Sequence, residues 1–381
     1  MPIDNKSIQE LISFRQYLHQ HPELSGEEYE TAKAIVDQVK KYEPDELIVG
    51  LGGTGVAVVY NGSEAGPTVM LRCELDALPI EEKNDFVYRS DKTIISHKCG
   101  HDGHMAIMVG MAKTLSLTKL RKGRVVLLFQ PAEETGEGAV EVLKDDRFNT
   151  IKPDYVFALH NMPGYPLGTV ILRKNHFAAA SKGLTINLQG RTSHASEPEF
   201  GLNPALAISE IIKNLLSIAK KYQFKDLVLV TLVHACLGEK AFGVSPANGT
   251  VMATLRSYRD DDMQILTKLI HKLVEEIVSK EKLDYNISYS EEFPAVINDA
   301  ASVMLIDKIA DKENLEKLFL EEPIRWSEDF AHFTNLTPGA LFGLGSGKDR
   351  PRLHDASYDF PDELIHKGIR VFNGIIQYLL R

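Results

Sequence analysis

Apolar residues recur at helical spacing near the start of the chain and at strand spacing soon afterwards. Ile8, Leu11 and Leu18 predict a helix that ends near Pro22, because the residue before proline is disfavoured in the α region. The pattern then predicts, in chain order, helix 27–40, strands 55–60 and 68–72, helix 105–117 and strand 124–129. This alternation of strands and helices indicates an α/β sheet.

Residues 182–293 follow a different order of elements. Their pattern predicts strand 183–188, helix 204–220, strand 227–235, strand 250–257, helix 260–280 and strand 285–290. This βαββαβ order is typical of a compact four-stranded sheet backed by two helices. Most side chains suited to metal binding lie outside this segment. We therefore predict a small domain over 182–293, inserted into a larger domain formed by 1–181 and 294–381.

Composition narrows the classes of function. A length of 381 residues suits two domains, and 44% hydrophobic residues suffice for large buried cores. A net charge of -10 disfavours binding to nucleic acid or to anionic membranes, so we expect a small-molecule substrate. Three cysteines are too few and too irregular in number for a disulfide framework, which favours a reducing compartment. The sequence also shows no apolar leader and no apolar segment of membrane length, so we expect a cytoplasmic protein.

The densest group of reactive side chains is the octapeptide HKCGHDGH at residues 97–104. Cys99 and His101 would bind one metal ion. Asp102 and His104 would order the imidazole or cap the helix that follows. The alternative is a polar loop with a helix cap and no metal.

A second candidate site is an apolar strand that runs into two adjacent carboxylates, Glu133 and Glu134. Open α/β sheets place their ligands at the carboxyl ends of strands. One glutamate would bind a metal ion, and the other would act as a general base towards water. Alone, this pair would be interpreted as solvated acidic residues.

Two histidines, His160 at the end of an apolar run and His354 near the C-terminus, are further candidates. Either one alone is more often structural. Together with Cys99, His101 and Glu134 they make five donors of the nitrogen, sulfur and oxygen mixture that suits Zn(II), Mn(II), Co(II) or Ni(II).

Glu74 and Asp76 follow the strand predicted at 68–72, and strand alternation puts them on the same side. One of them would accept a hydrogen bond from a metal-binding histidine, which fixes the tautomer of the ring. The residues alone leave open which of the two does so.

Together these motifs resemble the metal-dependent amidohydrolase family of aminoacylases, hippurate hydrolases, indoleacetyl-amino-acid hydrolases and N-acetyldiaminopimelate deacetylases. The resemblance runs from RQYLHQHPE at 15–23 to YDFPDE at 358–363, and includes GRTSHA at 190–195 and SEDF at 327–330. It implies an α/β fold: a zinc-exopeptidase-like catalytic domain with an inserted ferredoxin-like α+β (βαββαβ) domain that acts as a lid and in dimerisation.

The resemblance also implies a role for each candidate. Cys99 would bridge two divalent ions, Mn, Zn, Co or Ni, and the other ligands would be His101, Glu134, His160 and His354. Glu133 would be the general base, and Asp76 would support a metal-binding histidine. The implied activity is hydrolysis of the amide bond of N-acyl amino acids by a metal-activated water. His194 would reach a substrate, or a neighbouring active site across a homodimer formed by the inserted domain.

One stretch departs from the family pattern. Residues 243–248, GVSPAN, lack the asparagine and aspartate of an NVIPD-type stretch, whereas Arg256 is retained. Asn248 or Arg256 would then bind the substrate carboxylate, or the preferred substrate is atypical. Two other activities fit the scaffold. A dipeptidase or carboxypeptidase is disfavoured by cysteine at the bridging position, and a catalytically silent metal-dependent binding protein is disfavoured by Glu133 beside a full ligand set.

Overall fold

The computed structural model describes residues 3–380, which form two compact units. The first unit takes the described residues of Met1–Phe177, Val296–Glu322 and Asp329–Arg381. The second takes Ala178–Ala295 and Pro323–Glu328. The hydrophobic pattern does not anticipate the short piece 323–328, because a six-residue segment without its own strand or helix carries no periodic signal.

The elements of the first unit begin the chain. In order they are α1 Asn5–Gln20, α2 Tyr29–Val39, β1 Glu46–Leu51, β2 Gly55–Asn61, β3 Glu64–Glu74, α3 His101–Leu117, β4 Lys122–Gln130, α4 Gly138–Lys144, β5 Tyr155–Pro163, β6 Val170–Leu172 and β7 Asn175–Ala178. The first helix illustrates the local signals. The Asp4 side chain caps it by accepting from the backbone N–H of Ser7, and it ends at Gln20, just before the His21-Pro22 pair.

The second unit follows. It contains β8 Ala180–Gln189, β9 Ser193–His194, α5 Ala205–Leu215, α6 Ile218–Lys221, β10 Val228–Leu237, β11 Val244–Ser245, β12 Asn248–Ser257, α7 Asp260–Glu281 and β13 Asp284–Phe293. The chain then returns to the first unit with β14 Val296–Asn298, α8 Ala300–Lys312, β15 Lys317–Phe319, α9 Ala331–Thr334, β16 Gly339–Gly347 and α10 Glu363–Leu379.

The first unit is built on an eight-stranded sheet with the order β1-β2-β4-β3-β5-β16-β6-β15. Its central strands β4, β3, β5 and β16 are mutually parallel, and most of their residues are buried. Helices α1, α3 and α10 pack against one another and share the hydrophobic core with these strands. Parallel strands carry their carboxyl ends to a single edge, and the candidate side chains lie near the carboxyl ends of β3, β4 and β5.

The second unit contains the predicted βαββαβ arrangement. Its four strands pair antiparallel in the order β10-β12-β8-β13, the order of a ferredoxin-like sheet. Ile186, Val251 and Leu255 of the strands share a separate core with α5 and α7. The helix predicted over 204–220 is divided, because α5 stops at Leu215 and a short α6 follows.

Among the described residues, none of the helices combines the length and the hydropathy needed to cross a lipid bilayer.

Candidate metal centre and active site

The octapeptide at 97–104 lies across the start of α3, not before it. This helix begins at His101, four residues earlier than the pattern predicts. Gly100 precedes it with φ of 93°, and a Cβ there would come within 2.6 Å of the Asn161 Oδ1 atom, so only glycine fits. Cys99 and His101 are thereby fixed on either side of a tight turn, and both are buried.

The structure contradicts the roles predicted for Asp102 and His104. Gly100 is the N-cap of α3 and the helix has no side-chain cap. Asp102 Oδ2 instead lies 2.8 Å from His19 Nδ1 and 3.3 Å from Arg15 Nη1. The Nδ1 atom of His104 lies 2.6 Å from a Glu74 carboxylate oxygen, so neither residue hydrogen-bonds to His101. Both contacts join residues far apart in sequence, which local patterns do not encode.

The five predicted metal ligands converge at the carboxyl edge of the sheet. Ligand atoms of Cys99, His101 and His160 lie within 4.8 Å of one another, and those of Cys99, Glu134 and His354 form a second such group. The Cys99 Sγ atom is 3.5 Å from His160 Nε2. Cys99 therefore belongs to both groups, the arrangement that a ligand shared by two ions requires.

His354 differs from the other members of these groups. Its side chain is 51% exposed, and its Nε2 atom lies 3.5 Å from Glu134 Oε2. Its backbone has φ of 65°, which is uncommon outside glycine, and its N–H donates to the Lys98 carbonyl at 2.8 Å. This hydrogen bond ties the C-terminal loop directly to the residue before Cys99.

Two buried ligand atoms lack hydrogen bonds among the described residues. They are His101 Nε2 and Glu134 Oε1. Leaving such atoms buried without a partner is costly, and a divalent cation would satisfy both. Burial alone would lower the pKa of His101, but the hydrogen bond to Asp76 and the charges of Glu74, Asp76 and Glu134 raise it to about 10. The surroundings of His101 therefore favour positive charge, and the donor set fits a divalent ion.

Asp76, not Glu74, contacts the candidate ligand His101. The His101 Nδ1 atom lies 2.8 Å from the Asp76 carbonyl and 3.4 Å from its carboxylate oxygen Oδ1. Glu74 instead contacts Arg72 and His104. The Nε2 atom lies 3.9 Å from a Glu133 carboxylate oxygen and 4.0 Å from a Glu134 carboxylate oxygen. With a divalent ion bound, a proton on Nδ1 would leave the Nε2 lone pair for the ion.

Glu133 is buried, and its backbone segment is anchored by Asp329. The Asp329 carboxylate accepts hydrogen bonds from the Gln130 amide, the backbone N–H of Ala139 and the Arg72 guanidinium. Its own N–H donates to Glu133 Oε1 at 3.4 Å. The SEDF motif contains Asp329, but the sequence gives no sign of its partner Arg72, since a cation in the middle of an apolar strand resembles an exposed residue.

Sequence reasoning also missed a buried ionic cluster behind the metal-binding turn. The Lys98 ammonium binds the Glu82 carboxylate, and Glu82 Oε1 lies 3.0 Å from His19 Nε2. His19 in turn binds Asp102, and Asp102 binds Arg15. Lys98 and Asp102 flank Cys99 and His101, so this cluster holds the turn at both ends.

The three residues predicted to bind substrate lie in the second unit. His194 is exposed, and its Nδ1 atom accepts from the hydroxyl and the backbone N–H of Ser196, at 2.6 and 3.2 Å. A neutral ring would therefore carry its proton on Nε2. Asn248 is exposed at the start of β12, and Arg256 is half-buried near the other end of this strand. Eight residues of strand separate Asn248 from Arg256 by about 26 Å, so one small substrate cannot contact both in a single copy.

Arg256 is a cation without an acidic partner among the described residues. Its Nη1 atom donates to the Arg325 carbonyl and the Ser327 hydroxyl, each at 3.0 Å. Burial lowers the pKa of Arg256, and no carboxylate within residues 3–380 lies at ion-pair distance to oppose this effect. The remaining guanidinium donors can bind an anion.

The chain is similar to proteins of a single family, both by a family sequence model and by individual relatives. The sequence model of peptidase family M20/M25/M40 matches residues 70–378. The chain is 32% identical over 357 residues to N-acetyl-L-cysteine deacetylase of Bacillus subtilis, covering 93% of this chain and 85% of that protein. It is 30% identical over 373 residues to hippurate hydrolase of Campylobacter jejuni, covering 97% of both.

A solved structure is similar over the same extent. The crystal structure of the Bacillus subtilis YXEP protein, a dinuclear metal binding peptidase from the M20 family, superimposes with a TM-score of 0.84. It is 25% identical in sequence and covers 99% of each chain. With a family model matched over most of the chain and a candidate metal site assembled in the structure, the chain belongs to peptidase family M20/M25/M40 and is a metal-dependent amidohydrolase.

Proposed function

We propose that this amidohydrolase removes the acyl group from N-acyl amino acids at a centre of two divalent ions. The ions would be held by Cys99, His101, Glu134, His160 and His354. The observation that carries this proposal is the membership of Cys99 in both three-residue groups, because one shared donor places two ions close together. The mixture of thiolate, imidazole and carboxylate donors suits Zn(II), Mn(II), Co(II) or Ni(II).

The chemistry divides between the ions and the protein. Divalent ions supply Lewis acidity, which polarises an amide carbonyl and makes a water easier to deprotonate at neutral pH. Glu133 accepts the proton from the attacking water and delivers it to the leaving amine. Asp76 holds the His101 ring in the orientation that this geometry requires. His194 donates from Nε2 to the oxygen that becomes negative in the tetrahedral intermediate.

The names of the relatives support this substrate class. N-acetyl-L-cysteine deacetylase and hippurate hydrolase are named for N-acyl amino acids, and both align with this chain over nearly its whole length. Such substrates carry a free carboxylate. Arg256 fits the role of its binding partner, because it is a half-buried guanidinium without an acidic neighbour among the described residues.

We further propose that the protein acts as a homodimer joined through β10. This edge strand and Leu227 before it form an eleven-residue run without Lys, Arg, Asp or Glu, and Val233 and Leu237 are 58% and 40% exposed. Long uncharged edges pair readily with another strand. Antiparallel pairing of two β10 strands reverses the direction of β12 in the partner. The Asn248 end of one copy then lies towards the same side as the Arg256 end of the other.

The dimer resolves the separation between substrate-binding candidates. His194 lies at the Asn248 end of the second unit, since Val244 pairs with it just before β12 begins. With two copies, one substrate would be bound by Arg256 of one chain and by His194 of the other. We also propose a cytoplasmic location, supported by three cysteines that form no disulfide among the described residues.

A substrate screen tests the proposed activity. N-acetyl, N-benzoyl and indoleacetyl amino acids, with a dipeptide set for comparison, would be incubated with protein loaded with Mn(II), Zn(II), Co(II) or Ni(II). We expect amine release from the acylated amino acids and loss of that release in Glu133→Gln. Hydrolysis of dipeptides alone would replace the deacylase assignment by a peptidase.

A mixing experiment tests the shared site. Glu133→Gln subunits and His194→Ala subunits, each weakly active alone, would be dissociated and reassociated together. Mixed dimers contain one site with an intact Glu133 served by an intact His194, so we expect activity to recover well above the mean of the separate variants. Absence of recovery in confirmed mixed dimers would show that His194 does not act across the interface.

A further inference from the structure

The loop that presents Glu133 contains an unusual backbone conformation. Ala132, the residue immediately before Glu133, has φ of 50°. This left-handed region is unfavourable for a residue with a Cβ atom, because the Cβ atom comes too close to the following carbonyl oxygen. A strained residue next to a candidate catalytic group persists only where its surroundings enforce it.

Both polar groups of Ala132 are held. Its N–H donates to Glu28 Oε1 at 2.8 Å. Its carbonyl accepts from the Gly138 N–H at 3.0 Å and from the Thr135 hydroxyl at 3.3 Å. The two bonds to the carbonyl are local, whereas Glu28 comes from a segment 104 residues earlier in the chain. The left-handed conformation therefore depends on a tertiary contact with the start of α2.

Glu28 is itself fixed by burial and by a second hydrogen bond. Its side chain is fully buried, and Oε2 accepts from the Thr54 hydroxyl at 2.6 Å. Burial raises the pKa of Glu28, and the nearby charge of Asp76 adds to this effect. Packing alone would be served better by an apolar residue, since burying a carboxylate carries a large desolvation cost.

A second carboxylate holds the other side of Glu133. The backbone N–H of Glu134 donates to Asp76 Oδ2 at 2.9 Å, and the Ser25 hydroxyl donates to the same oxygen at 2.7 Å. The two peptide N–H groups that flank Glu133 are thus each bound by a buried carboxylate from another part of the chain. The backbone on both sides of Glu133 is therefore fixed by tertiary contacts.

We propose that Glu28 is a positioning residue that directs the Glu133 carboxylate by holding Ala132 in its left-handed conformation. This inference rests on the proposed role of Glu133 as the general base. Without the Glu28 carboxylate, the Ala132 N–H loses its acceptor and the backbone relaxes towards negative φ, which displaces Glu133. The metal ligands are attached through other contacts, so substrate and metal binding are retained while proton transfer slows.

The test compares four variants for kcat, KM, bound metal and Tm. Glu28→Ala should lower kcat by about 10- to 100-fold, as expected when a catalytic group is misplaced by about 1 Å, with KM and bound metal unchanged. Glu28→Gln keeps an oxygen acceptor for the Ala132 N–H, so kcat should recover to near the wild-type value. Adding Ala132→Gly to Glu28→Ala should restore part of kcat, because glycine adopts this φ without strain. Glu27→Ala, which removes the exposed neighbouring carboxylate, is the matched control and should leave all four quantities unchanged.

Each outcome decides the inference. Wild-type kcat in Glu28→Ala, or a fall in kcat that only follows loss of metal, would overturn it. If Glu28→Ala does not fold, Glu28→Met replaces it, because methionine fills the buried space without offering an oxygen acceptor to the Ala132 N–H. Wild-type kcat in Glu28→Met would equally overturn the inference. Glu133→Gln run in parallel separates the two claims. Full activity there would refute the base itself, whereas an inactive Glu133→Gln beside a fully active Glu28→Ala would refute only the positioning role.

Discussion

The two compact units carry candidate functional residues of opposite character. In the first unit, Cys99, His101 and His160 are buried and are fixed by partners from several elements. In the second unit, His194 is exposed on a two-residue strand, and Arg256 is half-buried without an acidic partner among the described residues. Metal binding and proton transfer need fixed geometry, whereas substrate recognition needs groups that a ligand can reach. Substitutions in both units test this division.

Glu133→Gln removes the proposed base but keeps the size of the side chain. The amide cannot accept a proton, so kcat should fall by about 10²- to 10⁴-fold. Bound metal should be unchanged, because Glu133 is not among the proposed ligands. Steady-state kinetics and elemental analysis of the same preparation check both statements. Parallel loss of metal and turnover would make Glu133 a ligand instead.

His194→Ala tests whether an exposed residue of the second unit acts on the reaction itself. Removing one donor to a developing oxyanion costs about 10²- to 10³-fold in kcat. Metal content and Tm should stay at wild-type values, since the side chain is exposed and its hydrogen bonds among the described residues go to Ser196. A change confined to KM would limit His194 to substrate binding.

Arg256→Ala should mainly raise KM, by about 10- to 100-fold, because a charged hydrogen bond contributes about 1.5–3 kcal/mol. Arg256→Lys keeps the positive charge but lacks the planar guanidinium group, so its KM should lie between the values of the wild type and of Arg256→Ala. Kinetics with an N-acyl amino acid and with its carboxamide analogue provide the control. If the carboxylate is the partner of Arg256, the variant should discriminate against the analogue less than the wild type does.

The smallest effect is expected from the buried ionic cluster behind the metal-binding turn. Burial alone would lower the pKa of His19, but hydrogen bonds to Asp102 and Glu82 and their charges raise it to about 9. Stability from His19 is therefore complete below its ordinary pKa of 6.5 and is lost as pH rises through 9. Burial would raise the pKa of Glu82, but His19 and Lys98 lower it to about 2. The contribution of Glu82 to stability is therefore complete above pH 4.5, its ordinary pKa, and is lost as pH falls through 2.

His19→Gln measures this contribution. It should lower the free energy of unfolding by about 1–3 kcal/mol, as expected when buried charged partners are left unsatisfied. Denaturant unfolding should show the largest difference from wild type between pH 4.5 and 6.5, and the curves should converge above pH 9. A difference that stays constant across this range would mean that the ring contributes by packing alone.

The architecture follows from periodic signals in the sequence. β-Branched runs mark β2, β3 and β4, and the βαββαβ order of the second unit is readable from alternating strand and helix spacing. The predicted start of α3 at residue 105 is wrong, since the helix begins at His101. The hydrophobic pattern does not reveal the first turn of α3, because residues 101–104 are mostly polar. Their side chains are buried through polar contacts with other buried residues and not through an apolar helix face.

The candidate metal ligands can be identified from the sequence because cysteine, histidine and glutamate side chains rarely occur together in such motifs. The family resemblance then assigns a role to each. Glu28 cannot be identified in this way. It is adjacent to an exposed glutamate of identical chemistry, and only the folded chain distinguishes the two. The same holds for Arg72 and Lys98, whose partners Asp329 and Glu82 lie far away in sequence or across a turn. Sequence patterns locate the donors, whereas the supporting contacts depend on tertiary structure.

The central claim is that Cys99 is shared by two ions. Crystals of the protein loaded with Zn(II) or Mn(II) would be measured at the absorption edge of the metal, and an anomalous difference map would be calculated. We predict two peaks, both within bonding distance of Cys99 Sγ, one near His101 and His160 and the other near Glu134 and His354. A single peak, or two peaks of which one lies beyond bonding reach of Cys99, would contradict the account.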